Sequence, residues 1–314
     1  MVEAPATRGR PARRLGTWAG AAALAALAEY PSAQTIRLVK HGRVARPELL
    51  DLLIESMLRR ARSGLGWTRF FPAATGVLVP PGLSEEERMR LADVALRQGL
   101  AGVRLVDLTA AAAEGGGVAK DDPRGRMVVD FGGGKTCITV LSMGGIVSWH
   151  WSEAGSLALD EALAAYVARR YQVRISPIEA ERVKIEIGSV YPLDQPRARE
   201  VVGVQTRSGN PHKVNLDDSE VRDVLTDGCE PLVQALHQGF KTVPPELASD
   251  ILRDGVVLAG GGARLRGLPD FLEERTGLRF RVAHDPINAV LRGGMALLVA
   301  DGRAGEEGPA AGQG

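Results

Sequence analysis

Two stretches of the chain share one construction. Val128 to Thr136 reads VVDFGGGKT and Val256 to Leu265 reads VVLAGGGARL; in both, an apolar strand runs into three consecutive glycines before the chain turns polar. Glycine tolerates positive φ and close backbone approach, but three in a row are entropically costly. For the first run two readings stay open. One is a tight hairpin turn, with Ile138, Val140 and Leu141 on the return strand. The other is an anion nest, in which exposed N–H groups face a phosphate. A single triple glycine fits either reading. Two of them, following strands that end near positions 130 and 259, read as both walls of a nucleotide cleft.

The rest of the chain alternates strands and helices, which favours an α/β fold. Glu48 to Ala61 has apolar residues at 49, 50, 52, 53, 54, 57 and 58 and predicts a helix with a buried face. Ala74 to Pro80 and Val103 to Leu108 read as short strands. Between them Ser84 and Glu87 form a capping box and Gly99 closes a helix. A helix beginning at TAAAAEGGG ends at Gly115 to Gly117. After Asp130 a meander turns at the glycines and again at Gly144-Gly145, and LDEALAAYVARRY follows as a helix. PIEAERVKIEIG starts another helix, a hairpin is expected around Ser208-Gly209-Asn210, and two helical stretches flank TVPPELASDI.

Composition sets the outer limits. At 45% hydrophobic and 25% charged over 314 residues the chain can bury a core. Its net charge of +1 argues against a nucleic-acid binder. Cys137 and Cys229 are far apart, which rules out a disulfide framework or cysteine zinc site and fits a reducing, cytoplasmic compartment. The start, with Arg8, Arg10, Arg13 and Arg14 ahead of an alanine-rich segment, has the outline of a signal peptide. It reads equally well as a short amphipathic helix for an anionic membrane surface, or as a disordered leader. The tail GRAGEEGPAAGQG has a disordered composition.

Five stretches together resemble the actin-like ATPase superfamily and, within it, the bacterial MreB cell-shape proteins: IRLVKHGRVA, VVDFGGGKTCITVLSMGGIV, ERVKIEIGSVYP, GVVLAGGGARLRGL and AHDPINAVLRGGMAL. The resemblance implies two ribonuclease-H-like lobes closing over ATP and Mg²⁺. It places a leader at 1–32, a truncated subdomain IA at 33–125, subdomain IIA at 126–160 and 227–286, and subdomain IIB at 161–226. A helix at 287–300 returns to IA, and 301–314 is a disordered tail. Asp130, Gly132, Gly133, Gly134, Lys135 and Thr136 then form a phosphate loop, with Asp130 near the water shell of the metal. Glu181 and Lys184, one helical turn apart, contact ribose and adenine. Gly260, Gly261 and Gly262 let the backbone lie against adenosine and the α-phosphate.

The departures from the family pattern shape the functional expectation. Such ATPases begin with an Asp-x-Gly-Thr hairpin; here Leu15-Gly16-Thr17 echoes the turn, but no aspartate precedes it and no strand pair is expected around it. The first lobe is therefore expected to be incomplete, lacking its first phosphate loop and subdomain IB. The family carries a Glu-Glu-Pro segment whose second glutamate orients the attacking water; Leu108 falls at that position, with Asp107 a weak substitute beside it. Lys135 stands for the usual threonine, and Gly155-Ser156-Leu157 for a Gly-Gly-Asp turn. Losing two or three charge-assisted bonds of about 1.5–3 kcal/mol each weakens nucleotide binding by roughly 10²–10⁵-fold. Losing the water-orienting carboxylate removes about 10²–10⁴ in rate.

Efficient hydrolysis is thus not expected. The leading expectation is a cytoskeletal, cell-shape and cell-wall-organising protein with weak ATP binding, cytoplasmic and at the inner membrane surface. Its partners would be itself or an intact MreB paralogue, cell-wall elongation proteins, and the membrane periphery, but no nucleic acid. The alternatives are a non-hydrolysing pseudo-actin that caps or regulates a paralogue, and an active actin-fold ATPase or kinase.

Overall fold

The computed structural model describes residues 50–63, 75–97, 100, 102–119 and 122–306, with five short strands inside 1–49. The chain divides into two units: Met1–Thr75 with Met89–Val103, and Gly76–Arg88 with Arg104–Gly314.

In the first unit β1 (Val2–Glu3) pairs antiparallel with β2 (Arg14–Gly16) and with β3 (Gln34–Thr35). Two pieces of the expected leader are therefore paired strands, and Leu15 and Gly16 do sit in a strand pair, contrary to expectation. Pairing of this kind depends on partners up to 33 positions away, Val2 with Thr35, which local composition does not reveal. Hairpin β4 (Val39–Lys40) and β5 (Arg43–Val44) and helix α1 (Leu50–Ser63) follow. The remainder of the expected leader, and the expectation that the first phosphate hairpin and subdomain IB are lacking, fall on positions outside the described residues.

In the larger unit β6 (Thr75–Val79) and β7 (Val103–Asp107) make a two-stranded sheet. The intervening α2 (Glu85–Arg97), which belongs to the larger unit only as far as Arg88, opens with the expected box: the Ser84 N–H donates to Glu87 Oε2 at 2.8 Å and the Glu87 N–H to Ser84 Oγ at 3.3 Å. Helix α3 (Leu108–Gly115) starts directly at the end of β7, so Leu108 is its first helical residue.

A five-stranded sheet follows, from β8 (Arg126–Phe131), β9 (Thr136–Ser142) and β10 (Gly145–Ser152) as an antiparallel meander. Successive side chains of a strand point to opposite faces. On β8 this sends Met127, Val129 and Phe131 to the main core and Val128 to a smaller cluster with Ala112, Ala113 and Ala289. Helix α4 (Ser156–Tyr171) leads into β11 (Val173–Arg174), and after helix α5 (Pro177–Ile187) the strands β12 (Ala198–Gln205) and β13 (Pro211–Asp217) complete a three-stranded antiparallel sheet in the order β11-β12-β13. Helix α6 (Asp218–Lys241) returns to the first sheet. Helices α4 and α6 run unbroken through positions 160 and 226, where subdomain boundaries were expected.

The segment TVPPELASDI, expected between two helical stretches, is itself helical from Pro245 and is followed by a strand. Pro245 sits in the first turn of α7 (Pro245–Asp254), where its missing N–H is no loss. Strand β14 (Val256–Ala259) then adds parallel to β8, and after α8 (Leu268–Thr276) strand β15 (Phe280–Val282) adds parallel to β14. The resulting order is β10-β9-β8-β14-β15. Helix α9 (Ala289–Glu306) reaches further than the expected 287–300 and takes in the start of the expected disordered tail. It lies in backbone contact with α3, since a Cβ on Gly293 would fall 1.9 Å from the Ala111 carbonyl oxygen.

Candidate functional site

The parallel pairing of β8 with β14 brings both triple glycines to one edge of the sheet, with Asp130 opposite Ala259. There a cleft of about 510 Å³ opens, lined by residues that include Gly133, Ser156, Glu181, Lys184, Gly261 and Arg264. That volume falls in the usual range for small-molecule sites.

The first glycine loop is held by its neighbours. The Gly132 N–H donates to the Lys135 carbonyl at 3.0 Å, so it is not available to a phosphate. The carbonyls of Gly132 and Gly133 accept from the N–H groups of Ser156 and Leu157 at 3.0 and 2.8 Å. Those amides are among the first of α4, which would otherwise lack partners. Gly155 makes the approach achievable: a Cβ there would lie 2.5 Å from the Gly133 oxygen. The N–H groups of Gly133, Gly134 and Lys135 have no backbone partner among the described residues. Three adjacent unpaired amides can receive an anion.

The neighbouring side chains are placed differently from a simple cradle. Thr136 is fully buried and its hydroxyl donates to the Ala154 carbonyl. The Lys135 ammonium lies 5.9 Å from the centroid of the Trp151 ring. The two glycines flanking Gly261 serve packing: a Cβ on Gly260 would meet the Phe131 oxygen at 2.4 Å, and one on Gly262 the Phe131 ring at 2.4 Å. Gly260 also has φ +83°, a region L-residues rarely adopt. Gly261 is exposed, and nothing lies within 4 Å of where its Cβ would be. It is the open face of the second triple glycine.

Asp130 ends in a largely dehydrated position. Burial pushes its carboxyl up to about 6, and it makes no ion pair among the described residues. The Cys137 thiol is pushed up to about 12, chiefly by burial, with the charges of Asp130 and Asp107 acting in the same direction. Among the described residues no cluster of three or more His, Cys, Asp or Glu could hold a metal. Mg²⁺ needs none where nucleotide phosphates and waters supply most of the shell. A buried carboxyl without a cation fits that division, so Asp130 would hold such an ion through water.

Lys184 has a partner that the sequence reading missed. Its ammonium lies 2.7 Å from Asp160 Oδ1 and donates to the Ser156 carbonyl at 2.9 Å. Asp160 is only 2% exposed. The available signal was an acidic residue between Leu159 and Leu163 on the apolar face of α4. Glu181 lines the cleft one turn before Lys184, as its spacing predicts. Arg264, Arg266, Ile185 and Ile287 also line the cleft and were not singled out. Asp107 caps α3: its Oδ1 accepts from the Thr109 N–H at 2.7 Å, the Ala110 N–H at 3.3 Å and the Thr109 hydroxyl.

Comparison with known proteins gives a consistent picture. A family model described as MreB/Mbl protein matches residues 20–303. The cell shape-determining protein MreB of Escherichia coli K12 is 38% identical over 259 residues, which cover 82% of this chain and 74% of that protein. The crystal structure of MreB5 of Spiroplasma citri bound to ADP superposes with a TM-score of 0.83 at 25% identity, covering 98% of this chain and 91% of that one; its AMPPNP complex matches equally. The MamK double helical filament, at 19% identity, shares the fold with a TM-score of 0.67, over 98% of this chain and 91% of that one.

Proposed function

The chain belongs to the MreB/Mbl family, and from that premise we propose that it is a cytoskeletal protein of cell-shape determination and cell-wall organisation that binds Mg²⁺–ATP weakly. The observation that carries the reading is the convergence of both triple glycines, Glu181 and Lys184 on one cleft of about 510 Å³. Crystal structures of the S. citri relative with ADP and AMPPNP support placing a nucleotide there. In this reading the unpaired amides of Gly133, Gly134 and Lys135 receive phosphate and Asp130 orders the water around Mg²⁺. In the same reading the five-stranded sheet belongs to subdomain IIA and the three-stranded sheet of β11, β12 and β13 to subdomain IIB.

The protein works with copies of itself or an intact MreB paralogue and with cell-wall elongation proteins, in the cytoplasm at the inner membrane surface. No described helix is long and apolar enough to cross a membrane, so peripheral contact is the form of attachment proposed. Hydrolysis is slow or absent, because Leu108 cannot polarise water and Asp107 is engaged as a helix cap.

The test is calorimetry with millimolar ATP and Mg²⁺ on the wild type and Gly261→Val. The added side chain projects into open space, so the variant should fold normally and lose the binding heat. Equal heats from both proteins would remove the site assignment.

A further inference from the structure

Three cations line the cleft, and two of them are committed. Lys184 is paired with Asp160, and Arg266 Nη1 donates to the Gly188 carbonyl at 3.0 Å. Arg264 is exposed and makes no hydrogen bond or ion pair among the described residues. Two isoleucines line the same cleft and are left open, Ile185 at 60% and Ile287 at 50% exposure. A flat ligand group that covered all three would bury apolar surface and give the guanidinium a partner.

The cleft has distinguishable ends. The Gly132–Lys135 loop is bonded to the start of α4, which fixes the phosphate end. The stretch carrying Arg264 runs instead beside the last turn of α5. There the Val190 N–H donates to the Arg266 carbonyl at 2.9 Å, and Ser189 bridges Arg266. Ile185 belongs to that same last turn.

Resting on the nucleotide reading above, we propose that Arg264 is the base-stacking residue of the cleft. Its guanidinium plane covers one face of a heteroaromatic base, while Ile185 and Ile287 supply the apolar surface around it. Guanidinium is planar and weakly hydrated, and it stacks on aromatic faces better than an ammonium does.

The experiment is calorimetric titration of wild type, Arg264→Ala and Arg264→Phe with Mg²⁺–ATP, with melting curves as a folding control. An exposed, unpartnered side chain should leave the melting temperature unchanged in both variants. Removing the stack should weaken ATP by about 5–30-fold in Arg264→Ala. Arg264→Phe keeps a planar face without charge and should stay within about threefold of wild type. Affinity unchanged in Arg264→Ala would overturn the proposal. So would an Arg264→Phe protein as weak as Arg264→Ala, which would make the arginine a charge contact to phosphate. A wild type that binds no ATP would overturn the nucleotide reading itself, and the stacking role with it.

Discussion

Asp130→Asn separates the stability of the fold from its ligand chemistry. The carboxyl sits at the end of β8 with its pKa pushed up by burial to about 6. An unfolded chain releases that proton at about pH 4. The folded state therefore holds a proton that the unfolded state has lost, and the associated stability is fully present below about pH 4 and disappears as the pH rises through about 6. The shift of about two units corresponds to roughly 3 kcal/mol of strain above pH 6. Asparagine is isosteric and never charges, but an imperfectly bonded carboxamide costs about 1 kcal/mol of this. The expected net gain is about 2 kcal/mol at pH 8, or about 3 °C in melting temperature for a chain of this size, turning into a loss of about 1 kcal/mol at pH 4, where only the carboxamide cost remains. The assay is thermal or urea unfolding of both proteins at pH 4, 6 and 8 in metal-free buffer. Adding Mg²⁺–ATP at pH 8 should stabilise the wild type and leave the variant unmoved. A difference independent of pH, or a variant less stable than wild type at pH 8, would refute the assignment of a dehydrated, unpaired carboxylate.

Lys184→Ala should destabilise the protein by about 3–5 kcal/mol, because it strands the buried Asp160 charge; urea unfolding with the Asp160→Asn, Lys184→Met double variant, expected to recover most of that loss, is the check. Loss of ATP binding in Lys184→Ala alone would thus say little about direct contact. Leu108→Glu should raise steady-state phosphate release by less than about tenfold, since the carboxylate arrives without the positioning that is worth several kcal/mol of barrier. Wild-type turnover at the level of an ordinary actin-like ATPase would show instead that Asp107 orients water while capping α3.

What the sequence could determine was local. A strand followed by three glycines, the Ser84–Glu87 box, and the Glu181–Lys184 spacing each depend on a few consecutive residues, and each lies where periodicity and backbone chemistry put it. The kinship with MreB was legible for the same reason, since it rests on short motifs in a fixed order.

Which atoms of those motifs stay open to the cleft was a different question, because competition from distant partners settles it. Gly132 and Thr136 lie inside the glycine motif, yet the Lys135 carbonyl takes the N–H of one and the Ala154 carbonyl the hydroxyl of the other. Gly260 and Gly262 look the same as Gly261 in sequence. Only the packing of Phe131 against the outer two leaves the middle one open. Asp160 and Lys184 stand 24 positions apart and meet because α4 and α5 pack together, and Arg264 reaches the Ile185 end of the cleft because Arg266, two residues on, bonds to the Gly188 carbonyl. Sequence proximity sets backbone conformation, whereas burial and pairing are set by residues that only the folded chain brings within reach. That is why the two glycine-rich walls could be read in advance, and the assignment of work along them could not.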